Sequence, residues 1–196
     1  MNNKITASTA SLIIANLIPL FGVLFFQWDI STLLFLYWAE SAIIGFFNIL
    51  KMLKCPASSS EKKSLIPFFM IHFGGFMLGH LLFLVVISVI FIDSRRMDYL
   101  VNDLTIGIIG LLISHGISYY NNYLLGEEYK RADINTLFIQ PYSRIAIMHI
   151  TVLAGFFAVI MLEDAVWILA VFVILKTLID LFSHLKERKK YSRIIK

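Results

Sequence analysis

Ionisable and polar side chains interrupt several long apolar stretches of this sequence, and their spacing is the first indication of chemistry. Near the C-terminus, Lys176, Asp180 and His184 follow one another at intervals of four residues. On a helix this interval places side chains on one face, so Asp180 and His184 can reach one metal ion or one proton. Lys176 can pair with Asp180. The alternative is a Lys–Asp pair that neutralises itself, with His184 among lipid head groups.

Further polar side chains lie within other apolar stretches of the chain. The set comprises His72, His80, His115, His149, Glu40, Asn48 and Arg144. Zinc sites commonly use three protein ligands and a water molecule. We therefore predict a metal site formed by His72, His115 and His149, with Asp180 and Glu40 as catalytic carboxylates. The spacing permits these residues to converge but does not require it.

Depth in the membrane follows from counting residues at about 1.5 Å each from the inner end of a helix. This count places His72 and His149 at the same level, about 10 Å deep, and His115 at roughly 15 Å. Glu40 and His80 come out higher, at around 20 Å. Arg144 falls near the inner boundary, where its side chain can extend to the head groups.

Two local patterns bear on how these residues are used. Gly75-x-x-x-Gly79 is a close-packing motif of membrane helices, and it predicts that His72, on the same face, points into a bundle. Glu40 interrupts an apolar run, and an unpaired carboxylate at that depth would be protonated. Its candidate partners are Lys176, Arg144 or a histidine.

The elements that must position these side chains follow from composition. The chain has 196 residues, of which 59% are hydrophobic and 15% charged, and its mean hydropathy is +0.80. A soluble protein of this size could not bury so much apolar surface, whereas a bilayer accommodates it. We predict an all-α polytopic membrane protein, one domain over residues 1–196. The predicted six spans are residues 8–26, 30–53, 65–92, 104–125, 142–162 and 165–185, with residues 93–103 as a charged loop.

Basic residues predict the orientation of these spans. Lysines and arginines concentrate at residues 51–63, at 130–131 and in the tail 186–196, all on one side if both termini lie in the cytoplasm. The pI near 9.2 is then explained by membrane topology and contacts with lipid head groups, and we exclude nucleic acid as a partner. The predicted location is the inner membrane of a prokaryote, with lipids as partners and homo-oligomers as an open alternative. The single Cys55 excludes an intramolecular disulfide.

Several short motifs resemble those of a family of small prokaryotic membrane proteins catalogued only as a domain of unknown function. The motifs are Tyr37-Trp38-Ala39-Glu40, Ser114-His115-Gly116 with Asn122-Tyr123, Pro141-Tyr142-Ser143-Arg144 with His149, and Leu175-Lys176-Thr177 with Asp180 and His184. The resemblance covers nearly the whole chain and implies a multi-spanning protein. It brings no activity, cofactor or partner. The sequence has no Gly-x-Ser-Gly of rhomboid proteases, no H-x-x-H-H of membrane desaturases and no H-E-x-x-H of zinc proteases.

Four functions are compatible with these residues. The first is an intramembrane metal-dependent hydrolase, with zinc or iron, acting on a lipid-like substrate. The second is a b-type haem protein with axial histidines such as His80 and His149. The third is a proton-coupled transporter, because Asp, Glu, His and Lys at depth are the usual relay elements. The fourth is a scaffold whose polar residues only hold helices together.

Overall fold

The computed structural model describes residues 30–91 and 94–161, and every regular element within these two ranges is helical. The elements are α1 (Ile30–Lys54), α2 (Ser59–Phe91), α3 (Ser94–Ser118), a π-helical turn (Tyr119–Leu125), a 3-10 turn (Glu128–Arg131), α4 (Ile134–Ile139) and α5 (Tyr142–Met161). The all-α prediction is confirmed for this part of the chain. The predicted spans at residues 8–26 and 165–185 lie outside the described residues.

Three of these helices are long and apolar enough to cross a membrane: Ser31–Lys54, Ser59–Val89 and Val101–Leu125. They correspond to the second, third and fourth predicted spans, and α5 corresponds to the fifth. Large apolar side chains such as Ile71 and Val89 are exposed on α2. Exposed apolar surface of this extent is expected of a helix that faces lipid. The chain therefore has the character of a membrane-associated protein.

Helix α1 lies at the centre of the described bundle and packs against α2, α3 and α5. In the apolar stretch of each helix that could cross a membrane, 56% of the residues are buried in α1, compared with 28% in α2 and 11% in α3. A helix that is apolar on all sides is suited to this position because it meets a neighbour on each side. Thr32, Glu40, Ser41 and Asn48 of α1 are therefore held inside the protein.

Two glycines allow the neighbouring helices to approach α1 closely. A Cβ atom at Gly45 of α1 would lie 2.4 Å from the Phe73 ring of α2, and one at Gly107 of α3 would lie 2.4 Å from Leu36 of α1. Small residues commonly line helix contacts of this kind. The predicted packing motif does not behave in this way, because no described atom lies within 4 Å of a Cβ built at Gly75 or Gly79.

The prediction of a charged loop over residues 93–103 was wrong from Ser94 onward, where α3 begins. A loop was predicted because charged side chains are costly in the hydrocarbon core of a membrane. They are nevertheless compatible with a helix that extends beyond it, since arginine and aspartate do not oppose helix formation strongly.

The segment between α3 and α5 returns along the end of α1. The Tyr123 hydroxyl donates to the Lys51 carbonyl at 2.8 Å, and Lys54 lies 5.2 Å from the centre of the Tyr129 ring. Short helix α4 then packs against α1 and α2 with Ile134 and Leu137 buried. Asp133 caps the N-terminus of α4, because its carboxylate accepts from the Thr136 N–H at 2.8 Å. Hydrogen bonds from Thr136 hold the pKa of Asp133 below its ordinary value.

Candidate functional site

Helix α5 lies in the groove between α1 and α2, and its two edges carry different polar groups. At about 100° per residue, Tyr142 and His149 fall on nearly the same side of α5, whereas Arg144 is displaced from both by well over a right angle. Tyr142 and His149 contact α2, while Arg144 contacts α1. Ile145 and Met148 lie buried between these two edges.

Two histidines meet where α2 and α5 touch. His80 Nε2 lies 2.8 Å from His149 Nδ1, and the two rings stand nearly perpendicular, with an interplanar angle of 87°. On its other side, His80 Nδ1 lies 2.7 Å from the Phe76 carbonyl oxygen. His80 is buried, with 9% of its surface exposed, and His149 is exposed.

The Phe76 carbonyl decides where the protons of this pair lie. A carbonyl only accepts, so His80 Nδ1 carries the hydrogen and donates it. In the neutral ring, His80 Nε2 is then an acceptor, and it receives the Nδ1–H of His149. His149 Nε2 is left with a lone pair that can take up a proton. The pair can therefore bind an additional proton while keeping the hydrogen bond between the two rings.

A second pair lies on the same seam between α2 and α5. His72 Nδ1 lies 2.9 Å from the Tyr142 hydroxyl. The His72 ring stacks on Phe68 at a centroid distance of 5.3 Å and meets the edge of Phe76 at 5.2 Å. His72 is exposed despite these contacts, although its ring nitrogen reaches the neighbouring helix α5.

A buried ion pair joins α1 to α5. Arg144 Nη1 lies 3.8 Å from Glu40 Oε1, and the side chains are 28% and 7% exposed, respectively. One of the three predicted partners of Glu40 is thus present in the structure. Arg144 points at Glu40 inside the bundle, and this explains how a carboxylate is tolerated so far from the ends of α1.

Two further side chains tie α1 to its neighbours through backbone carbonyls. Trp38 Nε1 donates to the Met77 carbonyl at 2.8 Å, and Asn48 Nδ2 donates to the Leu137 carbonyl of α4 at 2.9 Å. Asn48 is buried. These bonds fix the level of α1 relative to α2 and α4, and they account for two polar residues of the apolar stretch by structure alone.

The structure does not bring together the three histidines predicted as metal ligands. His115 stacks on Phe47, where α3 packs against α1, while His72 and His149 lie at separate levels of the α2–α5 seam. The described residues contain no group of three or more His, Cys, Asp or Glu side chains able to hold a metal ion. Asp180, Lys176 and His184 lie outside the described residues.

The haem interpretation meets a geometric difficulty at His80 and His149. Axial histidines hold the iron between their ring nitrogens, whereas these two nitrogens are hydrogen-bonded directly to each other. A haem group does not fit between them in this arrangement. The pair is instead suited to holding a proton.

Sequence reasoning missed the hydrogen-bonded pairs that the three seam histidines form. Tyr142 was noted only as part of a motif, and the pairing of His80 with His149 was considered only as a clamp for haem. A signal was present, however. Tyr142 and His149 lie seven residues apart, and His72 and His80 lie eight apart, so two helices running in the same direction can align both pairs at once.

The comparisons with known proteins identify a family but bring no activity. The model of DUF6498, a family of unknown function, matches residues 2–194. The chain belongs to this family. The resemblance to a family of unknown function is thus confirmed, over nearly the whole chain. No curated protein and no solved structure matches the sequence.

Proposed function

We propose that this protein is a proton-coupled transporter of the membrane, with the His80–His149 pair as its proton-binding group. The observation that carries the proposal is the 2.8 Å contact between the two ring nitrogens, with the second nitrogen of His80 held by the Phe76 carbonyl. Ionisable residues within spanning helices commonly serve proton relays. Histidine gains and loses a proton near neutral pH more readily than other side chains.

The electrostatics of the pair favour one added proton over two. One proton makes the pair singly charged and keeps the inter-ring hydrogen bond, because either ring can donate to the other. A second added proton would place two positively charged rings in direct contact and leave neither facing nitrogen able to accept the hydrogen bond. Uptake and release of one proton is therefore the reaction that this geometry supports.

The Glu40–Arg144 ion pair supports the same interpretation. Buried charge is costly and is retained in membrane proteins mainly where it serves a pathway. Arg144 lies on the edge of α5 that faces α1, and Glu40 on α1 balances its charge. The helix that carries His149 thus also carries a charged group held within the protein.

For the membrane arrangement we propose six spans with both termini in the cytoplasm of a prokaryotic cell. Support comes from the end of the bundle that carries Lys51 and Lys54, where Lys62 Nζ also donates to the Leu53 carbonyl at 2.9 Å and the 3-10 turn brings Lys130 and Arg131. Positive residues favour the cytoplasmic side. Bilayer lipids are the proposed partners, and self-association is a further proposal that the mass of the detergent complex tests.

Metal-dependent hydrolysis of a lipid-like substrate is a weaker proposal. It requires His72, His115 and His149 to converge with Asp180 and Glu40, and the described histidines lie apart. The elemental metal content of purified protein tests it directly. Zinc or iron at one equivalent, lost in a His72→Ala/His115→Ala variant, would restore this interpretation.

The transport proposal is tested with purified protein in liposomes that contain a pH-sensitive dye. A potassium gradient with valinomycin drives protons inward, and the initial rate of acidification is measured. We expect His80→Gln and His149→Gln each to reduce this rate by about tenfold or more, a typical effect of removing a proton-transfer group. His115→Gln is the matched control, because His115 packs on Phe47 away from the seam.

Each variant must first elute as a folded, monodisperse species in detergent. Unchanged proton uptake in folded His80→Gln and His149→Gln proteins would refute the proposal. If these variants lose thermal stability while the remaining folded molecules retain the full rate per protein, the pair only holds α2 and α5 together and does not carry the proton; the scaffold interpretation is correct only if the wild-type protein itself takes up no protons.

A further inference from the structure

The His72–Tyr142 pair has a chemical property that the proposed transport function does not yet use. A tyrosine hydroxyl both donates and accepts. When His72 is neutral, the hydroxyl can donate to Nδ1, and when His72 is protonated, the same oxygen can accept from the Nδ1–H. The 2.9 Å contact therefore suits both protonation states of the imidazole without a change of partner.

The two pairs of the seam are in register along α2 and α5. From His72 to His80 the rise along α2 is about 12 Å, and from Tyr142 to His149 the rise along α5 is roughly 10 Å. Helices α2 and α5 thus run in the same direction, and two of the contacts between them are titratable pairs. Because the separation exceeds one hydrogen bond, transfer between the pairs needs bridging water.

Phe76 contacts both pairs. Its ring meets the edge of His72 at 5.2 Å, and its carbonyl accepts from His80 Nδ1 at 2.7 Å. A change in the position of one histidine is therefore transmitted to the other through a single residue of α2.

We infer that His72 and Tyr142 form a second proton-exchange station, through which protons pass between water at the basic end of the bundle and the His80–His149 pair. The inference rests on the proposed transport function and assigns the route to its proton-binding group. His72 lies nearer than His80 to the start of α2, where Lys62 and Lys63 are found. At this station His72 takes one proton from a hydronium ion and returns one to bridging water, so that only N–H and O–H bonds form and break.

The test compares His72→Gln and Tyr142→Phe with wild type in the dye-loaded liposomes. Tyr142→Phe keeps the ring that packs edge-on against Phe69 and Phe73, so the protein is expected to fold. Both variants should reduce the initial rate of proton uptake by about tenfold. Tyr120→Phe is the control, since Tyr120 is exposed on the π-helical turn.

A second measurement separates a proton station from a structural contact. Nitrogen NMR of labelled histidine measures how fast the His72 N–H exchanges with water, and Tyr142→Phe should slow this exchange because the hydroxyl that can donate to and accept from His72 is lost. The charged and titratable groups on the packed helices that bear on it are Glu40, Arg144 and the His80–His149 pair. Slower proton exchange at His72 together with a reduced uptake rate supports the station.

The outcomes distinguish the inference from the function on which it rests. Full rates in His72→Gln and Tyr142→Phe, with reduced rates in His80→Gln and His149→Gln, overturn the second station and leave the transport function intact. Full rates in all four variants overturn both. Proton exchange at His72 that is equally fast with and without the Tyr142 hydroxyl also overturns the station.

Discussion

The Glu40–Arg144 ion pair allows a quantitative prediction about how α1 and α5 are held together. Two unit charges 3.8 Å apart attract each other by about 4 kcal/mol at an effective dielectric constant of about 20. Loss of hydration offsets part of this attraction for a buried pair. We therefore expect a double-mutant cycle of Glu40→Gln and Arg144→Met to give a coupling free energy of about 1–3 kcal/mol.

The two single substitutions should differ in cost. Arg144→Met leaves Glu40, whose side chain is only 7% exposed, either charged without its partner or protonated, and breaking a buried pair in this way costs about 3–5 kcal/mol. Glu40→Gln leaves a guanidinium that is 28% exposed and can turn toward head groups or solvent. Its cost should be lower, about 1–2 kcal/mol.

Unfolding is measured by tryptophan fluorescence in mixed micelles with increasing sodium dodecyl sulfate, for wild type, both single variants and the double variant. The free energies of unfolding then give the coupling directly. Additive single effects would show that the two charges do not interact across α1 and α5. A larger cost for Glu40→Gln than for Arg144→Met would contradict the argument from exposure.

Two further predictions concern stability. Gly45→Ala should destabilise the fold by about 1–2 kcal/mol in a thermal melt, because its Cβ would meet the Phe73 ring at 2.4 Å; Gly74→Ala, with no described atom within 4 Å, should be neutral or stabilising. Asp133→Ala should lower the protection of the α4 amides in hydrogen exchange by about 1 kcal/mol at neutral pH. Since the folded-state pKa of Asp133 lies below its ordinary value of 3.8, its contribution is present above about pH 4 and is lost as the pH falls through the folded pKa. The difference from wild type should vanish in acid, whereas a difference that persists there would contradict the proposed cap.

The helices themselves were largely predictable because they are continuous apolar runs with clear ends. The predicted span at residues 30–53 agrees with α1, Ile30–Lys54, and the one at 142–162 agrees with α5, Tyr142–Met161. Each run is bounded by a proline outside the helix: Pro56 shortly after α1, whose last turn carries Lys51 and Lys54, and Pro141 before α5. Where charges and helix coexist, as in the first turns of α3, composition predicted a loop and was wrong.

The pairing of the polar residues was not predictable, because depth was counted from helix ends as if all ends lay at one level. That count put His149 level with His72. In the structure His72 is level with Tyr142, at the very start of α5, and His149 is level with His80. The count therefore misplaced His149 along the seam, because it assumed that α5 begins at the same level as the other helices.

The short helix α4 explains why that assumption fails. The carbonyl of Leu137 accepts from Asn48, which lies six residues before the end of α1, or roughly 9 Å along the helix axis. The chain has therefore already returned into the bundle when α5 starts at Tyr142. This offset places Tyr142 beside His72 and Arg144 beside Glu40, so α4, which contributes no ionisable group to either contact, determines which groups meet. Asn48, an amide in an apolar run, thus matters because it fixes the position of α4 along α1. Neither hydropathy nor spacing along one helix can reveal such an effect.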